Sequence, residues 1–235
     1  MKTVSFNIRA GGGQRIGAIR DFIEGHDPDV IILTEWRNTD GGRSLQARAT
    51  SHGMHCATLN DGSTANGIFV AAREPFAAES RTPPGKTCAG ALLQIRFTGR
   101  TMLACYFPQR DAKVPFFDAV LRVASENRSI PFLLVGDLNT GNQIADRSPA
   151  GGQYSCAPMF DALSTPGGLI DVWRQTQGAD AREWTWLSRT GNGIRIDHAF
   201  ANTAYLHGRT LSCTYDHTPR SLGFSDHSAL VLVEE

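Results

Sequence analysis

The sequence lacks an excess of charge of either sign, because 23 Lys and Arg residues balance 23 Asp and Glu residues. This balance excludes a uniformly basic nucleic-acid-binding surface, although it leaves room for a local basic groove. The sequence also lacks any apolar run near the ~18 residues of a membrane span, so we expect no membrane segment. Hydrophobic residues still make up 41% of the 235 positions and charged residues 20%, which excludes disorder, a coiled coil and a collagen-like fibre.

Cysteine is scarce, and its spacing forms no recognisable pattern. The five cysteines include no Cys-x-x-Cys pair, which excludes a zinc knuckle and a thioredoxin-type redox site. An odd, widely spaced set is typical of a reduced, intracellular protein. The N-terminal segment has no apolar stretch of the kind found in signal peptides. We therefore expect a cytoplasmic protein.

Short runs rich in Val, Ile and Leu are frequent, and the Gly, Pro and Asp residues that bound them favour strands over helices. The predicted strands cover residues 4–6, 30–33, 67–72, 91–97, 101–106, 132–135, 194–200 and 229–233. Several consecutive strands have no helix between them, which favours antiparallel or mixed sheets with helices outside over a simple βαβ alternation. Since neither an internal repeat nor a low-complexity linker is present, the sequence predicts one domain over residues 1–235.

Three segments show the apolar spacing of amphipathic helices. Four apolar side chains between residues 16 and 23 share one helical face, and Gly25 predicts the end of that helix. A second apolar stripe predicts a helix over residues 114–127, and a shorter one lies around residues 159–163.

Acids and amides recur at or beside the ends of the predicted strands, and Asp197 lies inside the run over residues 194–200. Carboxylates beside buried strands are costly unless they are paired or bind a metal. An oxygen-rich set with few histidines suits Mg²⁺ or Mn²⁺ better than Zn²⁺. The residues concerned are Asn7, Glu35, Asp137, Asn139, Asp197, Asp226 and His227.

Each of these residues has a simpler interpretation when it is considered alone. An Asp after a strand is more often a turn former or a helix cap, and Asn7 is able to close an Asx turn. Five such sites at strand ends make independent coincidence less persuasive. No Gly-x-Ser-x-Gly nucleophile elbow and no complete phosphate-binding glycine motif offers a competing chemistry.

The ordered set of motifs resembles the exonuclease–endonuclease–phosphatase superfamily, and the resemblance extends from Met1 to Val233. The motifs are Ser5-Phe6-Asn7, Pro28-Asp29-Val30-Ile31 through Thr34-Glu35, Gly136-Asp137-Leu138-Asn139, Arg195-Ile196-Asp197-His198 and Ser225-Asp226-His227-Ser228. This resemblance implies a four-layer α/β sandwich, in which two mixed, mainly antiparallel β-sheets are flanked by helices. The active site would lie at one end of the sandwich.

One feature indicates the branch of the superfamily, and a second concerns the substrate specificity within that branch. The opening segment and Tyr106-Phe107-Pro108 are similar to exonuclease III and its abasic-site endonuclease relatives. Only five residues separate Arg189 from Arg195, fewer than in exonuclease III. In the family this loop helps to form the pocket for the abasic sugar, so its shortness argues against strong abasic specificity.

The resemblance also implies a metal site and a general base. Glu35 would be the main ligand of Mg²⁺, which Mn²⁺ is expected to replace, with Asp226 and Asn7 nearby. Asp137 would orient and deprotonate the attacking water.

The remaining site residues would bind the phosphate. Asn139 and Asn7 would donate hydrogen bonds to the phosphate or the water, and Tyr106 would contact the phosphate or the leaving group. His227 would donate to a non-bridging oxygen, and Asp197 would keep it protonated.

Three functions follow from these observations. The first is a Mg²⁺-dependent DNA endonuclease or exonuclease with a role in DNA repair, as Tyr106 favours. The alternative is a phosphatase or phosphodiesterase acting on a small phosphorylated metabolite or lipid headgroup, as the neutral charge and the short loop favour. A non-catalytic binding module is the weakest of the three hypotheses, since every expected catalytic residue type is present. We expect DNA as the partner, no membrane association and a monomer.

Overall fold

The computed structural model describes residues 1–60, 62, 64–85 and 90–235. The strands are β1 (Lys2–Asn7), β2 (Val30–Trp36), β3 (His55–Leu59), β4 (Gly67–Ala72), β5 (Ala77–Ser80), β6 (Ala91–Phe97), β7 (Arg100–Tyr106), β8 (Phe132–Asp137), β9 (Leu169–Asp171), β10 (Trp186–Leu187), β11 (Gly193–Ile194), β12 (Asp197–Asn202), β13 (Leu211–Asp216) and β14 (Ala229–Glu234). The helices are α1 (Ile16–His26), α2 (Asp40–Ser51), α3 (Val114–Glu126), α4 (Ala157–Ser164), α5 (Val172–Gln177), α6 (Thr203–Leu206) and α7 (Thr218–Ser221).

The strands form two six-stranded mixed sheets and a small hairpin. The first sheet has the order β13-β14-β1-β2-β4-β3, and the second has the order β5-β6-β7-β8-β12-β9. In each sheet one central pair is parallel, β1 with β2 and β7 with β8, while the other pairs are antiparallel. The hairpin consists of β10 and β11.

The two sheets pack face to face with helices on both outer surfaces. The central core contains inward-facing residues of both sheets, such as Ile32 and Leu230 from the first and Ala104 and Val135 from the second. A second core lies under α3 and α4, and a third lies under α1 and α2. Alternation along each strand explains this division, because successive side chains point to opposite faces of a sheet. The predicted four-layer sandwich is confirmed.

The registers bring the predicted site residues to one end of the sandwich. Asn7, at the end of β1, pairs with Thr34 of β2, one residue before Glu35. In the second sheet, Asp137 at the end of β8 pairs with both Tyr106 and Asp197.

The predicted elements agree with the observed ones in most places, and one strand differs. The run over residues 194–200 is not a single strand, because Ile194 ends β11 and Asp197 begins β12. Arg195 lies between them with its guanidinium buried against Asp146 and Asp171. The chain turns there from the hairpin into the second sheet.

Two further findings concern hydrophobic helices and the cysteines. Within the described residues, no helix is of a length and hydrophobicity that would let it cross a membrane. Cys56, Cys105, Cys156 and Cys213 are free thiols. The fifth cysteine, Cys88, lies outside the described residues.

Candidate active site

Asn7 connects the two sheets at the end where the site residues meet. Its side-chain Nδ2 donates to Glu35 Oε1 at 3.0 Å and to Asp137 Oδ2 at 3.0 Å. Its Oδ1 accepts a hydrogen bond from the backbone N–H of Arg9 at 2.8 Å. This arrangement fixes the orientation of the amide, because the opposite orientation would place the amide oxygen against two carboxylates. In this orientation the nitrogen, not the oxygen, faces the carboxylates.

Glu35 lies at an irregularity of β2 that turns its side chain towards the site. The pairing of β2 with β4 shifts register between Thr34 and Trp36, and Glu35 has a positive φ of 55°. A residue other than glycine at positive φ is strained, and such strain often marks a functional position. The second carboxylate oxygen, Oε2, accepts from the backbone N–H of Ala10 at 2.7 Å. Glu35 therefore keeps free lone pairs on both oxygens.

Asp137 and Asn139 form a tight turn directly after β8. Asp137 is 1% exposed, and its Oδ1 accepts from the backbone N–H of Asn139 at 2.9 Å. Asn139 has a φ of 51°, and its side-chain Nδ2 donates to the backbone oxygen of Phe107 at 2.7 Å. Burial and then the nearby Asp197 carboxylate raise the pKa of Asp137 to about 7. A carboxyl group with such a pKa is suited to general-base chemistry near neutral pH.

His227 and Asp197 form a buried ion pair. The two side chains join through His227 Nδ1 and Asp197 Oδ2 at 2.9 Å, and both residues are at most 5% exposed. Burial alone would lower the pKa of His227, but the attraction of Asp197 outweighs it and raises the pKa to about 10. Because Nδ1 is used in this pair, Nε2 is the nitrogen left to donate towards the cleft that His227 lines.

The loop before β14 is held to β1 by a serine that sequence reasoning did not identify. Ser225 Oγ donates to the backbone oxygen of Asn7 at 2.5 Å and accepts from the backbone N–H of His227 at 3.1 Å. Its position in the Ser-Asp-His-Ser motif was the available signal. Ser225 thereby fixes the position of His227 relative to Asn7.

Arg15 is a second residue that the sequence did not single out. Its guanidinium donates to the backbone oxygens of Arg9 at 2.6 Å and Phe224 at 3.2 Å, which joins the loops after β1 and before β14. Burial lowers the pKa of Arg15, while the charges of Asp226 and Glu35 oppose that change. Arg15 therefore interacts electrostatically with both carboxylates.

Tyr106 lies at the edge of the same cluster. Its hydroxyl accepts a hydrogen bond from Asn66 Nδ2 at 3.3 Å. Burial and then the charge of Glu35 raise the pKa of the hydroxyl, so Tyr106 stays protonated and able to donate. Tyr106 pairs with Asp137 across β7 and β8, so its backbone lies beside the site, and its role there stays a prediction.

Lys113 is a buried cation at the site that the sequence analysis did not consider. It is 2% exposed, and its Nζ donates to the backbone oxygen of Asn139 at 2.6 Å. Burial lowers the pKa of the ammonium group. The short distance from Tyr106-Phe107-Pro108 along the chain was the only available signal.

A cleft of about 530 Å³ lies at this end of the sandwich, and only some of these groups line it. Glu35, Asn139, Asp226 and His227 line its polar side, and the side chains of Trp186, Ile194 and Ile196 form an apolar wall. Trp186 does not belong to the buried core. Trp186 is half-buried because its ring borders the cleft, and its Nε1 lies 3.4 Å from Asp226 Oδ2.

Three arginines close in sequence to site residues differ in their positions relative to the cleft. Arg110 is exposed and lines the cleft. Arg9 and Arg189 are exposed but do not line it. His198 points away from the site, as strand alternation predicts, and its Nε2 lies 2.9 Å from the backbone oxygen of Thr140.

Two neighbouring groups of side chains have the chemistry to bind a divalent cation. Glu35 and Asp226 offer half-buried carboxylates at the cleft surface. Asp137, Asp197 and His227 bring one ligand atom each within 4.8 Å of one another. In the second group His227 Nδ1 already binds Asp197, so the first group has the freer oxygen donors. Carboxylate oxygens are the ligands that suit Mg²⁺.

Comparison with known proteins gives a family match. The family model described as "Endonuclease/Exonuclease/phosphatase family" matches residues 4–227. No curated protein matches the chain.

Several solved structures share the fold across their whole length. A 3′ phosphatase, NExo from Neisseria, bound to a product DNA hairpin, aligns with a TM-score of 0.82 at 20% identity and covers 100% of this chain and 99% of its own. The 3′-5′ exonuclease NExo from Neisseria meningitidis aligns with a TM-score of 0.81 at 21% identity, covering 99% of both chains. An AP endonuclease from Archaeoglobus fulgidus aligns with a TM-score of 0.80 at 19% identity, covering 99% of this chain and 98% of its own.

Proposed function

The chain belongs to the endonuclease/exonuclease/phosphatase family, and from this premise we propose that it is a Mg²⁺-dependent nuclease acting on DNA, with a role in DNA repair. Endonucleases, exonucleases and phosphatases all hydrolyse phosphoester bonds. The observation that carries the proposal is the hydrogen-bonded cluster of Asn7, Glu35 and Asp137 beside the Asp197–His227 pair, at the cleft that Glu35 and His227 line.

Asp137 is the proposed general base. Asn7 and the backbone N–H of Asn139 hold its two oxygens in place, so the carboxylate is oriented before a substrate arrives. A proton removed from the attacking water would go to Asp137. Preorganisation of this kind lowers the cost of arranging the water in the transition state.

His227 is the proposed donor to a phosphate oxygen. The ion pair with Asp197 keeps its ring protonated and leaves Nε2–H to donate. A donor at this position stabilises the negative charge that the phosphate oxygens gain in the transition state. Asn139 and Tyr106 are the proposed additional contacts to the phosphate or the leaving group.

Glu35 and Asp226 are the proposed metal ligands. When bound, Mg²⁺ would neutralise charge on the phosphate and stabilise the leaving oxygen. Asn7 was also predicted to lie in the metal site. Its amide nitrogen faces Glu35, which supports a role in orienting that carboxylate.

DNA is the proposed substrate for two reasons. Two similar structures are a 3′-5′ exonuclease and a 3′ phosphatase with bound product DNA, and a third is an AP endonuclease. The cleft also combines an apolar wall at Trp186 and Ile194 with a basic residue, Arg110. An aromatic face beside a basic group suits a nucleotide, since bases stack and phosphates need a cation.

A small phosphodiester is the second candidate. The connection between β10 and β11 is only five residues long, so this hairpin adds little protein surface beside the apolar wall of the cleft. A DNA duplex would therefore make few additional contacts with the hairpin, which favours a smaller substrate.

A substrate panel at equal Mg²⁺ concentration distinguishes these candidates. It contains an abasic duplex, a duplex with a 3′ phosphate, an intact duplex, single strands, RNA and bis(p-nitrophenyl) phosphate. We expect cleavage or 3′-end trimming of the duplexes, with only modest preference for the abasic site. Rapid cleavage of the small diester without DNA binding at low salt would replace the nuclease proposal with the second candidate.

Metal dependence is tested in the same assay. EDTA should abolish turnover, and Mg²⁺ or Mn²⁺ should restore it. Glu35→Gln should raise the Mg²⁺ concentration needed for half-maximal activity, because one anionic ligand becomes neutral. Glu74→Gln is the control, since that residue binds Arg100 and does not line the cleft. Full activity in EDTA would contradict the metal site.

A further inference from the structure

Lys113 is a buried cation of the cleft to which the proposed mechanism gives no role. It is 2% exposed, yet it lines the cleft together with Gln109 and Arg110. Its Nζ donates to the backbone oxygen of Asn139 at 2.6 Å. An ammonium group has three N–H donors, so this bond leaves two of them. Among the described residues, no carboxylate forms an ion pair with Lys113.

A buried cation without a counter-ion destabilises a folded protein unless a ligand or a partner compensates it. Burial lowers the pKa of the Lys113 ammonium, while Cys156, Asp137 and Asp111 oppose the change without cancelling it. An anion bound in the cleft would supply the missing negative charge and would accept hydrogen bonds from the remaining donors. The environment of Lys113 therefore favours an anionic group in the adjoining part of the cleft.

Lys113 and the proposed metal ligands reach the cleft from different sheets. Lys113 follows β7 of the second sheet and directly precedes α3, whose N-terminus has no side-chain cap. The positive partial charge of a helix N-terminus also favours an anion nearby. Glu35 belongs to β2 and Asp226 precedes β14, both of the first sheet. A scissile phosphate held at Glu35, Asp226 and His227 would leave Lys113 for a different negative group.

The cleft is larger than a single phosphate requires. Its volume of about 530 Å³ lies within the ~300–1,000 Å³ of pockets that bury a drug-sized ligand. Consecutive phosphates of a nucleic-acid strand are separated by one nucleoside, and the apolar wall at Trp186 and Ile194 suits its base. Arg110, exposed at the same cleft, offers a further cation to the strand.

We propose that Lys113 binds the phosphate next to the scissile one, so that the cleft holds two consecutive phosphates of a nucleic-acid strand. This inference rests on the proposed nuclease function and refines it. A substrate with one phosphodiester, such as bis(p-nitrophenyl) phosphate, has no group for Lys113 to bind. Lys113 thereby selects polynucleotides over small diesters. A residue that only held the turn at Asn139 would instead serve every substrate equally.

The test compares two duplexes with the full chain and Mg²⁺. One is the duplex that the wild type cleaves fastest in the substrate panel. In the other, each phosphate adjacent to that scissile bond is an uncharged methylphosphonate. The wild type should lose at least ~10-fold in kcat/KM on the second duplex, the effect expected of one hydrogen bond to a charged group. Equal kcat/KM on the two duplexes would overturn the proposal.

Lys113→Gln removes the charge and keeps an N–H donor for the Asn139 oxygen. It should lower kcat/KM on the first duplex by at least ~10-fold, abolish most of the difference between the duplexes, and leave the hydrolysis of bis(p-nitrophenyl) phosphate unchanged. Lys2→Gln is the matched control, because Lys2 also donates to a backbone oxygen, that of His26 at 2.7 Å, and does not line the cleft. This control should behave as the wild type does.

Each remaining outcome also decides the proposal. Equal losses by Lys113→Gln on the duplex and on the small diester would show that Lys113 only positions the Asn139 turn. If Lys113→Gln does not fold, Lys113→Met is the second variant, and the wild-type comparison of the duplexes needs no variant. Hydrolysis of the small diester without cleavage of any DNA would overturn the nuclease function and this inference together. DNA cleavage that does not depend on the neighbouring phosphate would overturn this inference alone.

Discussion

Asp137 is a residue whose position in the fold is unfavourable for stability and suited to catalysis. It lies buried beside Asp197, and burial and this like charge raise its pKa to about 7. An Asp whose pKa is higher in the folded than in the unfolded chain binds more protons when folded, so the free energy of unfolding falls as pH rises through about 4 to 7.

We expect Asp137→Asn to lower kcat by at least ~10²-fold, the lower range for loss of a general base. Its melting temperature, measured in chelator at pH 8, should equal or exceed that of wild type, because a buried charge is removed. Asp118→Asn is the control, since Asp118 is exposed on α3. An unchanged kcat with an unchanged melting temperature would mean that Asp137 is only a turn former.

The His227–Asp197 pair acts as one unit if the proposed role is correct. We expect His227→Asn and Asp197→Asn each to lower kcat, since either change removes the protonated donor. The double variant should lose far less than the two losses combined. The kcat values of wild type, the two single variants and the double variant are measured at saturating substrate and compared as a double-mutant cycle. Independent, multiplicative losses would show that the two residues do not cooperate.

At the residue scale, the motifs drew attention to side chains that the structure has at the ends of strands. Strand order and register bring Asn7, Asp137 and Asp197 together, while their roles stay predictions. Ser225 and Arg15 were missed because they act through backbone oxygens. Such contacts depend on how two loops pack against each other. A local sequence pattern does not predict that packing.

At the scale of elements, Arg195 connects the hairpin to the second sheet. Its side chain is fully buried and binds Asp146 through Nε at 2.7 Å and Asp171 through two nitrogens. Asp171 also caps α5 by accepting from the backbone N–H of Arg174 at 3.1 Å. The cluster therefore joins the loop after β8, the start of α5 and the start of β12.

We expect Arg195→Met to lower the free energy of unfolding by about 3–5 kcal/mol, because it removes the buried guanidinium from Asp146 and Asp171 and leaves only Arg174 beside them. Urea denaturation measures the change. Arg43→Met, which breaks an exposed pair with Asp40, should change stability by at most about 0.5 kcal/mol. A loss below about 1 kcal/mol at Arg195 would contradict a structural role for the cluster.

Helices and strands were predicted where the spacing of apolar residues was regular, and they were missed where it was not. The stripe over residues 114–127 predicted α3 almost to its ends, since α3 spans Val114–Glu126. Helix α2 was missed because its sequence contains two adjacent glycines and only one large apolar residue, Leu45. The split between β11 and β12 was missed because Ile194 and Ile196 continue the apolar run across the buried Arg195.

At the scale of the whole molecule, a shared core joins the two sheets. Ile32 and Val135, from different sheets, belong to the same buried cluster. This supports our proposal that residues 1–235 form one domain. Neither the oligomeric state nor the location follows from the fold, so the monomer and the cytoplasmic location stay predictions.

The absence of net charge determines how this molecule would bind DNA. With 23 basic and 23 acidic residues, no long-range attraction favours a polyanion, so binding must rely on local cations at the cleft. Arg110 is exposed and lines the cleft, so it is the arginine we expect to contact a phosphate. We expect wild-type binding to duplex DNA to be weak and to decrease steeply with salt, because each neutralised phosphate releases a counterion.

Arg110→Gln should therefore reduce the slope of log K against log salt concentration by about one unit. The measurement is fluorescence anisotropy in the Asp137→Asn background, which prevents cleavage. Arg96→Gln is the matched control, since Arg96 is exposed, pairs with Glu79 and does not line the cleft. Equal slopes for Arg110→Gln and the control would show that Arg110 contacts no phosphate. A slope near zero for the Asp137→Asn variant itself would mean that phosphate contacts contribute little to binding. That result would contradict the electrostatic argument for DNA as the substrate.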